Sequence, residues 1–320
     1  MNRSVRAGVV AAIVTELLYG LSFVFVKDVT KTISPVTLLA WRFGVALAAV
    51  LVLWGFRIVR VRLTRATAKP LLLLAAFMPV AYYLGETFGV ARTTASESGL
   101  ILSAIPVANL LAAWVVLRAR PTRWQVTGIS VTLVGVVVTV IASGVAIGSQ
   151  WVGFLLLAGA VVAYALYTVF AQRFADASDM DKTFVMIAAG ALVFCTMAIA
   201  DHARDGTMGV LLTLPVARPG FAIAVAYLAF GCTIGAFFLQ NFAISSLGAN
   251  RYSTFIGIAT VTALISGAVV LGERLSIGQW VGGAAIVLGV YLANRRSDRT
   301  GAGDGRGYEF VSCKTLRVES

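Results

Sequence analysis

Apolar runs of the length needed to cross a hydrocarbon core of ~30 Å, about 20 residues, recur ten times along the chain. They lie near 7–27, 34–55, 68–90, 95–117, 122–142, 150–171, 183–201, 219–242, 249–271 and 276–294. The gaps between them are short and leave no room for a separate soluble domain. The pattern predicts an all-α integral membrane protein with ten transmembrane helices. The first run follows Arg3 and Arg6 as a signal peptide would. It is too long for an h-region, however, carries Glu16 and lacks a small-x-small cleavage site, so it reads as a retained helix. Residues 295–320 switch to Gly, Ser and mixed charge and are expected to form a disordered cytoplasmic tail.

Composition agrees with the pattern. Of 320 residues, 59% are hydrophobic and 12% charged, against about 45–50% and about 25% in soluble domains. That excess excludes a soluble enzyme and a secreted disulfide scaffold. The net charge of +12 sits in the polar gaps rather than as a stripe on one folded face, which argues against a nucleic-acid partner. With both termini cytoplasmic, 19 basic residues fall on the cytoplasmic side and 6 on the other. This predicts a multi-pass protein of the inner (cytoplasmic) membrane with both ends inside. Cys195, Cys232 and Cys313 are too far apart in sequence for a metal or disulfide spacing.

The chain also repeats. A slide of 154 residues aligns 94–140 on 248–294 without a gap, with 11 identities in 47 positions. Polar and small landmarks carry the match: Arg120 falls on Arg274, Gln125 on Gln279, Gly128 on Gly282 and Gly135 on Gly289. Five helices per copy make the second copy enter from the opposite side, an inverted-topology repeat as in many secondary transporters. The expected units are 1–146 and 147–294, five helices each, followed by the tail.

Several stretches are similar to one family. They are Tyr19-Gly20-Leu21-Ser22-Phe23 in the first run, Thr94-Ala95-Ser96-Glu97-Ser98 leading to Pro106 in the fourth, and Leu271-Gly272-Glu273-Arg274-Leu275-Ser276 followed by Gln279, Gly282 and Gly289. Together they resemble the ten-helix EamA branch of the drug/metabolite transporter superfamily. The resemblance covers about 1–294 and implies two inverted five-helix bundles around a central cavity, with export of small metabolites. Ala119 stands where the first copy would carry the acid of the Gly-Glu-Arg element, so a role needing that carboxylate cannot apply to both halves.

Charges and polar groups inside apolar runs are the functional candidates, because each costs several kcal/mol near the bilayer centre. Glu16 lies near the middle of the first run, with Tyr19, Gly20 and Phe23 on its helical face. A carboxyl there can release a proton when a cationic substrate arrives and regain it on departure, or serve packing alone. Ala12-Ile13-Val14-Thr15-Glu16 is similar to the first-helix glutamate stretch of the small multidrug resistance proteins. Arg42 and Glu86 lie about 12 Å and about 6 Å from the outer ends of their runs at 1.5 Å per residue. An ion pair between them, as an outer polar element, is therefore geometrically open; the alternatives are a static pair or a snorkelling Arg42. Asn109, Gln240 and Asn241 can hydrogen-bond a substrate or a neighbouring helix. Tyr164 and Tyr167 match Glu16 and Tyr19 at an offset of 148 and are expected to wall the cavity if the first-helix face does.

The remaining features read as structural. Glu97 falls in the first turn of the fourth helix, favoured by the macrodipole. Glu273-Arg274 reads as a local pair in an outer turn, and the single histidine, His202, as a solvated loop residue. The glycines seven apart read as packing positions. No P-loop is present, and no cofactor or metal is implied. The expected activity is secondary transport, with export in the family's manner, of small organic metabolites such as amino acids, amines or organic cations, coupled to protons at Glu16. Two alternatives stay open: an uncoupled facilitator, and a membrane-embedded lipid-modifying enzyme using Glu16 and Glu86 as an acid/base pair. The partners are then a small-molecule substrate, protons and the lipid bilayer.

Overall fold

In hydrocarbon every backbone N–H and C=O must find an internal partner, which leaves apolar runs of this length the helix as their structure. A computed structural model describes residues 3–57, 59, 61, 65–117, 122–144, 149–173, 178–248 and 252–294. Among these residues there is no strand. Nine helices among the described residues are long and apolar enough to cross a membrane: α1 (Val5–Thr30), α2 (Pro35–Gly55), α3 (Lys69–Arg92), α4 (Ala95–Val116), α5 (Arg123–Ala142), α6 (Gln150–Ala171), α7 (Asp179–Arg204), α9 (Pro219–Leu247) and α10 (Ser253–Leu271). Two shorter apolar helices complete the set, α8 (Met208–Ala217) and α11 (Ile277–Ala293). The last expected run is α11. Ala119, Arg120, Arg251, Cys313 and the tail 295–320 lie outside the described residues.

Local chemistry sets the helix ends. Pro35 opens α2 at a position whose N–H has no helical partner in any case. Thr94 and Thr122 each accept from the third residue of their helix, Glu97 and Gln125, whose side chains accept the cap N–H in return. Glu97 therefore does sit in the first turn, as its place in the sequence suggests. Gly272 adopts φ +66 at the end of α10, a left-handed cap that turns the chain back sharply.

The helices pack in a definite pattern. The main partners are α5 with α11, α2 with α7, α3 with α6, α1 with α9 and α10, and α4 with α6 and α10. The α5–α11 contact runs through the glycines: a Cβ on Gly135 would stand 2.7 Å from the Gly282 carbonyl, and one on Gly289 2.7 Å from the Gly128 carbonyl. Small residues let two backbones approach this closely. Gly20 does the same for α1 against α10, where a Cβ would lie 2.5 Å from the Ala259 carbonyl.

Four helices break regular α geometry. Helix α3 widens over Ala76–Ala81, where Pro79 removes an N–H and Met78 leaves helical torsions. Helix α4 is interrupted at residues 103–104, just before Ile105-Pro106. Helix α9 is π-helical over Tyr227–Ala236, and α10 opens with the 3₁₀ turn Ser253–Phe255. Irregular backbone inside a membrane fold survives only where protein or a cavity satisfies it. These breaks surround the polar residues described next.

Candidate functional site

Five helices converge on a small internal cavity. It is lined by Glu16, Tyr19 and Phe23 from α1, Met78 and Tyr82 from α3, Gly99, Leu102 and Ile105 from α4, Tyr164 from α6, and Ile256, Ala259 and Thr260 from α10. Its volume of about 40 Å³ holds about three waters. The breaks in α3 and α4 both border it. Glu16 is its one charged lining residue, 3% exposed. The Tyr252 hydroxyl, at the start of α10, donates to Glu16 Oε1 at 2.5 Å.

A hydrogen-bonded bridge spans one wall. Tyr19 Oη donates to Gln240 Oε1 at 2.6 Å, and Gln240 Nε2 donates to Tyr164 Oη at 3.1 Å. Gln240 of α9 thus ties the α1 face to the α6 face, and its two partners are the tyrosines that flank the acid. The rings continue the wall, with Tyr82 5.6 Å from Tyr164 and 5.0 Å from Tyr83 between centroids.

The other expected residues lie away from the cavity. Tyr167 donates to Asn241 Oδ1 at 2.9 Å, and Asn241 Nδ2 donates to Thr183 at 3.1 Å, a buried link of α6, α9 and α7. Asn109 accepts from Thr168 at 2.8 Å, joining α4 to α6. None of these three lines the cavity, so the expectation for Tyr167 as a cavity wall is corrected. Tyr167 lies three residues beyond Tyr164, and the cavity is too narrow to reach both.

Arg42 and Glu86 are both buried, 1% and 2% exposed. They lie within electrostatic range of one another, but the ion pairs among the described residues are Lys31–Asp28 and Lys182–Asp179. The Arg42 fork is taken elsewhere: Nε donates to Thr233 at 2.8 Å and Nη2 to Tyr83 Oη at 3.0 Å, with the guanidinium 4.2 Å from the Tyr83 ring centroid. Glu86 accepts from Thr87 at 2.8 Å. The expected pair is therefore absent. Matching depth in two helices sets height along the membrane normal and leaves direction around each axis open. Nor does Arg42 snorkel, since the π-helical stretch of α9 brings Thr233 to it inside the bundle.

A second polar cluster closes one end of the molecule. Glu273, just past α10, accepts the Ala95 N–H at 2.8 Å and the Ser96 N–H at 2.9 Å. It thereby caps the positive end of α4. Gln279 Nε2 donates to Glu97 Oε1 at 2.8 Å and to Ser143 Oγ at 3.0 Å. Lys27 donates to the Val90 and Ala91 carbonyls at 3.3 and 3.2 Å. A recess of about 350 Å³ adjoins this cluster, lined by Thr94, Glu97, Ser143, Gln150, Glu273 and Gln279 among others. Glu273 is thus a cross-bundle cap rather than half of a local pair with Arg274. His202 is corrected as well: it lies in the last turn of α7, half-buried, 2.9 Å from Thr37 Oγ1 and 2.7 Å from Thr207 Oγ1.

The geometry meets its relatives at this point. The EamA-like transporter family matches the chain twice, over residues 6–141 and 151–295. The chain belongs to the EamA-like transporter family. It is a multi-pass membrane transporter and not an enzyme. An uncharacterized transporter, YcxC of Bacillus subtilis, is 32% identical over 288 residues, covering 89% of this chain and 92% of the relative. A probable amino-acid metabolite efflux pump of Salmonella typhimurium is 24% identical over 290 residues, with 88% and 92% covered. The corresponding pump of Escherichia coli is 24% identical over 286 residues, with 88% and 93% covered. One solved crystal structure superposes with a TM-score of 0.61 at 18% identity, over 89% of this chain and 97% of its own, a likeness of fold.

In this EamA-like transporter, reasoning from sequence missed Tyr82, Tyr83, Tyr252 and Thr233. Tyr82 and Tyr83 are next to each other, only four and three residues before Glu86, and the helical face shared with that acid was a usable signal. Tyr252 and Thr233 had none. Their partners, Glu16 and Arg42, are 236 and 191 residues away in the chain.

Proposed function

We propose that this EamA-like chain exports small organic cations or amines from the cytoplasm by alternating access, coupled to protons at Glu16. The observation that carries the reading is one acid at mid-depth of α1, in a cavity whose other polar lining residues are three tyrosines and Thr260. A carboxylate among aromatic rings attracts an ammonium group both by charge and by cation–π contact. Among the broader solutes expected, amino acids fit this cavity less well than amines, because no cation among the described residues lines it to receive a carboxylate. The outward direction draws on relatives named as efflux pumps.

The architecture in this reading is two inverted five-helix repeats with both termini cytoplasmic in the inner membrane. The helix pairing supports it. Exchanging α1 with α6, α2 with α7, α3 with α9, α4 with α10 and α5 with α11 returns the same main helix pairs given above. The α2–α7 and α5–α11 pairs map onto themselves, while α3–α6 exchanges with α9–α1. At about 40 Å³ the cavity is far below the ~300 Å³ of a typical ligand site. This is a closed form, and substrate entry requires the bundles to part.

Uptake of radiolabelled tryptamine into proteoliposomes under an imposed proton gradient tests the proposal. Accumulation should collapse in Glu16→Gln and when the gradient is dissipated. Gradient-independent equilibration with an unaffected Glu16→Gln variant would favour an uncoupled facilitator instead.

A further inference from the structure

Tyr252 has no place in the wall of the cavity, yet it makes the closest contact to the acid. Its ring is 1% exposed and packs with Ala11 and Ala12 of α1 and Ala243 of α9. Its hydroxyl meets Glu16 at 2.5 Å, with Tyr164 of α6 in the same electrostatic surroundings. One hydrogen bond from this phenol therefore joins α1 to α10.

The backbone carrying that phenol is the least regular part of α10. Gly248 ends the preceding helix at φ +81, a conformation open to glycine. The three residues after Tyr252 form a 3₁₀ turn, and the α-helix begins only at Ile256. Short 3₁₀ segments have poorer hydrogen bonds and mark hinges. The tyrosine is thus a rigid lever on a soft joint, with its tip on the acid.

What holds the tip depends on charge. An O–H···O⁻ bond is about twice as strong as its neutral counterpart. When Glu16 gains a proton, or when an ammonium group covers it, the bond to Tyr252 loses that advantage. The titratable groups facing Glu16 are Tyr252 from α10, Tyr164 from α6, Tyr82 from α3 and Tyr19 from α1. The neighbouring parts of α4 present Gly99, Leu102 and Ile105, and α9 presents Gln240 through Tyr19. Tyr252 is the one of the four phenols whose hydroxyl bonds the carboxylate and whose backbone lies at a hinge.

We infer that Tyr252 is a positioning residue for transport: it holds the first turn of α10 against α1 while Glu16 is charged and unoccupied, and releases that turn when the charge is neutralised. The inference rests on the reading of Glu16 as the coupling acid, and it adds how the state of that acid reaches the backbone.

The test is ligand-free. Phe255→Cys, in full-length protein with Cys195, Cys232 and Cys313 changed to alanine, is labelled with a membrane-impermeant maleimide from pH 5 to pH 8, with rates corrected for thiolate fraction using a free-cysteine standard. Labelling should accelerate about fivefold or more as pH falls. It should stay fast and flat across pH in Tyr252→Phe and in Glu16→Gln. A Tyr252→Phe protein with the parental profile overturns the inference even if Glu16→Gln is flat. A Glu16→Gln protein with the parental profile overturns the coupling reading itself. Tyr252→Phe removes one oxygen and keeps the packed ring, and an unchanged thermal midpoint separates loss of the lever from loss of the fold.

Discussion

Glu16 and Glu273 are both glutamates that reach from one part of the bundle to another, and they are held in opposite ways. Glu273 meets two backbone N–H groups, one on each oxygen, at a helix N-terminus. Its charge is matched by groups that cannot move without unwinding α4. Glu16 meets a phenol and faces a cavity; in the proposed cycle that partner swings away and a solute or a proton takes its place. The comparison teaches that a carboxylate bridging two helices is not by that alone a functional acid. What marks it is a partner that can be exchanged.

The largest expected effect lies on the exchangeable side. Glu16→Gln should lower proton-driven amine uptake by about a hundredfold, the scale for losing a group that carries a proton in the slow step, with little change in thermal midpoint. A normal rate would break the comparison at once. On the fixed side, Glu273→Ala should cost about 2 kcal/mol of stability by uncapping α4, read as a lower thermal midpoint of the purified protein. Transport per folded molecule should fall far less than in Glu16→Gln. If uptake fell as far with stability unchanged, Glu273 too would belong to the transport cycle.

Two tyrosines sharpen the same contrast at smaller scale. Tyr164→Phe removes an acceptor from the Gln240 bridge at the cavity wall and should raise the apparent KM for tryptamine about threefold to tenfold. Tyr167→Phe removes the buried bond to Asn241 and should cost about 1 kcal/mol in stability with KM unchanged. Gln279→Ala belongs in the same range as Tyr167→Phe. It removes donors to Glu97 and Ser143 and the acceptor of the Ser276 N–H, while Glu97 keeps its reciprocal cap with Thr94, so the loss should be about 1–2 kcal/mol, read as a lower thermal midpoint.

That Glu16, Tyr19 and Tyr164 line one cavity was legible in the sequence. A charge at mid-depth is costly enough to single itself out, and helical spacing puts Tyr19 beside it. The repeat offset points to Tyr164, which does face Glu16 across the cavity; the same offset points to Tyr167, which does not. The failure is instructive, because sequence spacing on a helix says which residues share a face and not how wide the opposing gap is. Arg42 and Glu86 fail as a pair for a related reason. Their depths agree, but the neighbour within reach of the guanidinium is a threonine on α9 that only the π-helical stretch presents.

The sequence by itself determined that the chain is a multi-pass membrane protein of long apolar helices and which glycines meet another backbone; it predicted ten spans where, among the described residues, nine helices have that length and the last expected run forms the shorter α11. These follow from local quantities: run length against hydrocarbon thickness, capping residues, and the cost of an unpaired N–H in a medium without water. Only the tertiary structure decided who stands opposite whom. Tyr252 on Glu16, Thr233 on Arg42 and Glu273 on the N-terminus of α4 each join residues more than a hundred positions apart. Such contacts depend on the rotation of every helix about its own axis, a quantity that apolar runs facing lipid and protein alike leave almost free.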